Sequence, residues 1–154
     1  MAVAAFFGTA ACNRGGNTTT SDTKPRIALV LKTLNSPFFN DMQRGAQAAA
    51  SRLNVDLVVQ AAEREIDVER QMQIIENVLQ TRVKALCLTP SGSREVVPAV
   101  AKANRANIPV VIVDTRLDKK AADEAGAAIV SFIGSDNYEG GRIAAKFIVD
   151  LSSS

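Results

Sequence analysis

Five short apolar runs constrain this chain more than anything else in it: Ile27–Leu31, Val55–Val59, Ala85–Leu88, Val110–Val113 and Ile129–Ile133. Four are rich in valine and isoleucine, and none alternates strictly with polar residues. Strands of that texture are covered on both faces, as in a parallel sheet. Between the runs, apolar residues step by three and four, as on one face of a helix. The stripes are Phe39, Met42, Ala46, Ala49 and Leu53, then Val68, Met72, Ile75 and Leu79, then Val96, Val100 and Ala103, and last Ile143, Phe147 and Leu151. Ser36 with Pro37, Asp67 and Ser93 suit helix starts, and Asn107-Ile108-Pro109 stops the third helix. The predicted order is β-α-β-α-β-α-β-loop-β-α.

Right-handed crossovers turn that order into an α/β fold, a three-layer α/β/α sandwich. Its parallel sheet is doubly wound with strand order 2-1-3-4-5 and a switch point between strands 1 and 3. Ligands of such sheets bind outside the carboxyl ends of the strands. Those ends are Thr33–Phe39, Thr89–Ser93, Asp114–Arg116 and Gly134–Asn137.

Composition removes several kinds of chemistry. There is no histidine, which rules out histidine-based acid–base catalysis and the usual zinc sites. Neither Gly-rich phosphate pattern occurs, and no metal-ligand spacing is present. A non-enzymatic protein without a cofactor is expected. The net charge of +2 is too small, and its charges too interspersed, to argue for nucleic acid or an anionic membrane as partner. Cys87, inside an apolar run, reads as a small buried hydrophobe.

Several residues at the strand ends suit a small polar ring. Phe38 and Phe39 point about 100° apart on a helix, so one packs beneath it while the other is free to face a crevice. An aromatic face attracts the polarised C–H groups of a sugar. Asn35 and Ser36 precede the pair. Asp114 can accept two hydroxyl hydrogen bonds or close a turn. Thr115 follows, and Arg116 can donate to ligand oxygens or pair with Asp118. Asp136 is either a ligand residue or a helix cap. Gly45 and the Gly140-Gly141 pair suit close backbone approach.

The first twelve residues form an apolar run of small residues ending in Cys12, and residues 13–25 form a polar Gly/Thr/Ser-rich linker. Together they resemble an export signal with a lipoprotein processing site, in which Cys12 is lipidated. The run is too short to span a bilayer, so any membrane contact is through a lipid anchor.

Thr33-Leu-Asn-Ser-Pro-Phe-Phe39, Ala106-Asn-Ile-Pro-Val110 with its strand ending in Asp114, and Gly134-Ser-Asp-Asn137 with Gly140-Gly141 resemble the periplasmic sugar-binding proteins of the ribose/galactose type. These are the substrate-binding components of ABC importers. The resemblance implies that residues 26–151 are the first of two lobes that close on a monosaccharide. It implies sugar contacts from Ser36, Phe38 and Phe39 and hydroxyl binding by Asp114, with permease subunits as partners and a periplasmic or cell-surface location. The ribose binders carry an arginine directly after the aspartate, where this chain has Thr115. They carry Asn-Asn where this chain has Asn35-Ser36. A second lobe is expected after Leu151 but absent, which suggests a fragment. The alternative is the effector domain of a lac-repressor-type regulator, which shares the fold but follows a helix-turn-helix.

Overall fold

The computed structural model describes residues 24–152. Strands β1 (Arg26–Thr33), β2 (Asp56–Ala62), β3 (Ala85–Leu88), β4 (Val110–Val113) and β5 (Ser131–Ile133) pair in parallel. Their order is β2-β1-β3-β4-β5, as the pattern of runs and stripes predicts. The helices are α1 (Pro37–Leu53), α2 (Val68–Leu79), α3 (Val97–Arg105), α4 (Lys119–Ala125) and α5 (Asn137–Ser152). The leader expected over residues 1–12, Cys12 and most of the linker over 13–25 lie outside the described residues.

Because successive strand residues face opposite sides, the sheet supports two cores. On one face Ala28, Val30, Leu86, Leu88, Val110 and Ile112 pack against Ile74, Ile75 and Val78 of α2 and Val100 and Ala103 of α3. On the other, Leu29 and Leu31 pack against Phe39, Met42 and Ala46 of α1, with Cys87 beside them. Burial of a side chain such as Ile75, fully enclosed here, stabilises by about 1.5–3 kcal/mol.

The helix ends show local chemistry at work. Asn54 and Asn107 take left-handed backbone at φ 56, where asparagine is tolerated, and so turn the chain into β2 and β4. Ser36 sits at the N-cap of α1 with extended backbone and its carbonyl accepts the Asn40 N–H at 3.1 Å, but its hydroxyl caps nothing. Asp67 starts α2 without a side-chain cap, because its carboxylate is taken by Arg64 at 2.6 and 3.2 Å. That pairing lowers the Asp67 pKa and raises that of Arg64.

Several details depart from the sequence-based expectations. Ser93 does not start α3; the helix begins four residues later, and the Ser93 carbonyl instead accepts the Asp118 N–H at 2.9 Å. The stretch expected as a loop between β4 and β5 contains α4. The Asp118 carboxylate caps α4 by accepting the Ala121 N–H at 2.7 Å, and Gly126 ends it in left-handed backbone at φ 62. The α5 stripe forms a helix, yet none of its residues is buried, and Ile143, Phe147 and Leu151 remain at least 56% exposed. A Cβ added at Gly45, Gly140 or Gly141 would meet nothing within 4 Å, so none of these glycines serves a close approach.

Candidate functional site

The carboxyl ends of β1, β4 and β5 meet beside the N-terminus of α1. There, Thr33 and Asn35 tie the β1–α1 turn to the end of β2. The Thr33 hydroxyl and the Asn35 side-chain amide each donate to the Glu63 carbonyl at 2.8 Å. The Asn35 N–H donates to Thr33 Oγ1 at 3.1 Å. Asn35 therefore braces the turn.

Phe38 and Phe39 part ways as their 100° separation requires. Phe39 is 3% exposed and belongs to the core over β1 and β2. Phe38 is 53% exposed. Their rings meet edge to face with centroids 5.1 Å apart. The Phe39 ring packs with Leu29, Leu31 and Met42, and Phe38 is the ring that offers a face to the surface.

Phe38 stands over a groove of about 400 Å³ lined also by Asp41, Met42, Val113, Asp114, Ile133, Gly134 and Ser135. The wall is mainly apolar, and Asp41, Asp114 and Ser135 are its polar residues. Gly134 leaves room there for the Phe132 ring, which a Cβ would meet at 2.5 Å and displace. Asp114 has φ 64, uncommon for a residue with a Cβ but tolerated by aspartate. Its N–H donates to the Ile133 carbonyl at 2.8 Å, which joins the ends of β4 and β5.

The Asp114 carboxylate belongs to a three-residue array. Lys32 Nζ lies 3.3 Å from Asp114 Oδ2 and donates to Thr115 Oγ1 at 2.7 Å, while Thr115 Oγ1 donates to Asp114 Oδ2 at 3.1 Å. Both partners bind the same carboxylate oxygen. Lys32 is the residue that sequence reasoning missed. Its signal was a cation one position past the apolar run Ile27–Leu31. It also lies 5.8 Å from the Phe39 ring centroid, so it links the aromatic pair to the carboxylate.

Two expected site residues point elsewhere. Arg116 stacks its guanidinium 3.6 Å from the centroid of Phe132 and walls a separate pocket of about 340 Å³ with Leu117 and Ile129. A flat cation over an aromatic face is a favourable pairing, and it removes Arg116 from the groove and from Asp118. Asp136 accepts the Glu139 N–H at 2.9 Å and so caps α5. It is Ser135 that borders the groove.

Gln71 was also missed. It is fully buried in α2 and bridges the diverging ends of β1 and β3. Its Nε2 donates to the carbonyls of Thr89 at 2.9 Å and Leu31 at 3.3 Å, and its Oε1 accepts the Ser91 N–H at 2.8 Å. A glutamine on the apolar stripe, three residues after Val68 and four before Ile75, was the available signal.

Known proteins resemble this chain in sequence and in fold. Residues 27–153 match the model of the periplasmic binding protein domain. The D-ribose/D-allose-binding protein of Pseudomonas aeruginosa is 37% identical over 127 residues, which cover 81% of this chain and 40% of that protein. The ribose import binding protein RbsB of Escherichia coli is 37% identical over 125 residues, 81% of this chain and 39% of its own. The chain thus spans about 40% of the length of these curated relatives. Among solved structures, a periplasmic solute-binding protein of an ABC transporter from Actinobacillus succinogenes, with bound D-allose, superposes with a TM-score of 0.72 at 40% identity, covering 80% of this chain and 42% of that one. One from Burkholderia multivorans superposes at 0.78 and 33% identity, covering 84% of this chain and 46% of that one. By sequence match and by fold alike, the chain belongs to the periplasmic binding protein domain family.

Proposed function

We propose that this chain carries one jaw of a sugar receptor, the substrate-binding component of an ABC importer. The observation that carries the reading is Phe38, half exposed across an apolar groove from the Asp114 carboxylate. A pyranose or furanose has an apolar C–H face and a hydroxyl rim. The Phe38 ring takes the face. Asp114 accepts hydroxyl hydrogen bonds through Oδ1, while Lys32 and Thr115 hold Oδ2 and so aim the group. The groove supplies groups for binding and orientation, and the relatives are binding proteins, so the chain acts without chemistry on its ligand.

The second jaw comes from a second lobe. Ligand favours the closed form by the contacts it makes to both lobes at once, which is hinge closure by differential affinity. The partners are a monosaccharide and the permease subunits. The location is the periplasm or cell surface, with Cys12 as lipid attachment site.

The test is calorimetric titration of D-allose and D-ribose into the 154-residue chain and into a version extended by a relative's second lobe. The extended version binds far more tightly. Asp114→Ala lowers its affinity by about tenfold or more, the equivalent of one charge-assisted hydrogen bond. Unchanged affinity on that substitution removes Asp114 from the site. Submicromolar binding by the unextended chain overturns the two-jaw reading.

A further inference from the structure

We infer that the pole of the sheet opposite the groove is a docking surface for anionic phospholipid headgroups, built from Lys24, Arg82 and Lys84. In this topology the loops alternate between two poles, and the fold sorts the interspersed charges between them. Loops at the carboxyl ends of the strands carry seven carboxylates against three arginines. Among the described residues, the loops at the amino ends carry Lys24, Arg82 and Lys84 and no carboxylate. These three residues are exposed, and none enters an ion pair among the described residues. They converge because β1 and β3 are neighbours, with the Lys84 N–H donating to the Arg26 carbonyl at 2.7 Å. With Arg26, Asp56 and Thr81 they surround an open pocket of about 540 Å³. Asp56 is neutralised there by Arg26 at 2.7 Å.

One effect opposes anion binding. The ends of α1, α2, α3 and α4 lie at this pole, each presenting about half a negative charge, and the last-turn carboxylates of α4, Asp123 and Glu124, are paired with Lys119 and Lys120. Arg52 and Arg105 in the last turns of α1 and α3 offset two of them. The pole therefore stays positive.

The choice of a bilayer over nucleic acid rests on the exported reading. The pole is where the chain arrives from the apolar run that ends at Cys12, twelve residues before Lys24. Among the described residues no helix is long and apolar enough to cross a membrane. A basic patch adds an electrostatic signal to a lipid attachment and sets which face of the domain meets the bilayer. Docked in this way, the sheet stands upright and its groove faces the aqueous side, where solute is captured.

The experiment sediments the full chain with vesicles of phosphatidylcholine containing about 30 mol % phosphatidylglycerol, against phosphatidylcholine alone. It compares Arg82→Gln/Lys84→Gln with Lys119→Gln/Lys120→Gln, which removes the same charge from α4. Gln places no new demand on the backbone at position 82, where arginine already sits at φ 58. The partition coefficient on anionic vesicles should fall about 30-fold for the first pair, at roughly 1 kcal/mol per cation, and less than about threefold for the second. Raising salt from about 0.02 to 0.5 M should abolish the difference. Equal losses from both pairs, salt-independent binding by all variants, displacement by inorganic phosphate at constant ionic strength, or tighter binding to duplex DNA than to vesicles would each overturn the proposal. Sugar titrations are indifferent to these outcomes, so failure here leaves the receptor reading standing.

Discussion

Replacing Gln71 by leucine removes the brace between β1 and β3 at the place where the two strands diverge. The side chain is fully buried and makes three hydrogen bonds, two short at 2.8 and 2.9 Å and one longer at 3.3 Å. Leaving the Thr89 carbonyl and the Ser91 N–H unpaired costs about 1–3 kcal/mol each, and the Leu31 carbonyl adds a smaller amount. Leucine recovers about 1 kcal/mol through its apolar burial. The net loss is about 3 kcal/mol, or a fall of about 10 °C in Tm for a domain of this size. Urea unfolding followed by circular dichroism at 222 nm measures it. Gln71→Glu adds a second readout with a defined sign. A carboxyl in this site has its pKa raised by burial and by the two carbonyls it faces. Its unfolded form ionises first, near pH 4.3, so stability falls as pH rises above that value until the buried group itself ionises. A Gln71→Leu variant within about 1 kcal/mol of the parent, together with a pH-independent Gln71→Glu deficit, would refute the brace.

Burial raises the Cys87 pKa, so at pH 8 a Cys12→Ser chain should react with Ellman's reagent at least about tenfold more slowly when folded than in urea; equal rates would mean that the thiol is open. Asp136→Ala removes the cap of a helix that buries no residue. It should cost about 1 kcal/mol and speed amide hydrogen exchange across α5 about fivefold, with the sheet unchanged; unaltered α5 exchange would show that the cap contributes nothing.

The sheet was legible because both of its determinants are local or general. Uninterrupted apolar runs and helical stripes lie side by side in the sequence, and the doubly wound rule orders them. The carboxyl-end loops followed from that order, which is why Asp114 and Phe38 could be named. What stayed hidden depends on distant partners. Lys32 acquires its meaning from Asp114, 82 positions away, and Gln71 from Leu31, 40 positions away. Phe38 and Phe39 could be told to differ, but which of them faces the groove depends on how α1 docks on β1 and β2. Arg116 looked available because Phe132, the ring it covers, lies on another strand. A whole element, α4, was also overlooked despite a local signal. It carries no apolar stripe, but Asp118 before it, Gly126 after it, and Lys119–Asp123 and Lys120–Glu124 spaced four apart mark a short helix.

The same distinction explains the charge. A chain that alternates strand and helix visits the two ends of its sheet in turn, so residues adjacent in sequence across one helix lie at opposite poles. Glu63, Glu65 and Asp67 precede α2 at the groove end, whereas Arg82 and Lys84 follow it at the other. A window sliding over this stretch averages the two groups to near neutrality, although the helix between them holds them apart by its length, about 18 Å for twelve residues. That is more than twice the distance over which physiological salt screens a charge. Each pole therefore acts on its surroundings with its own sign. For a doubly wound fold the informative quantity is the charge of alternate loops summed separately, and here the two sums have opposite signs beneath a net charge of +2.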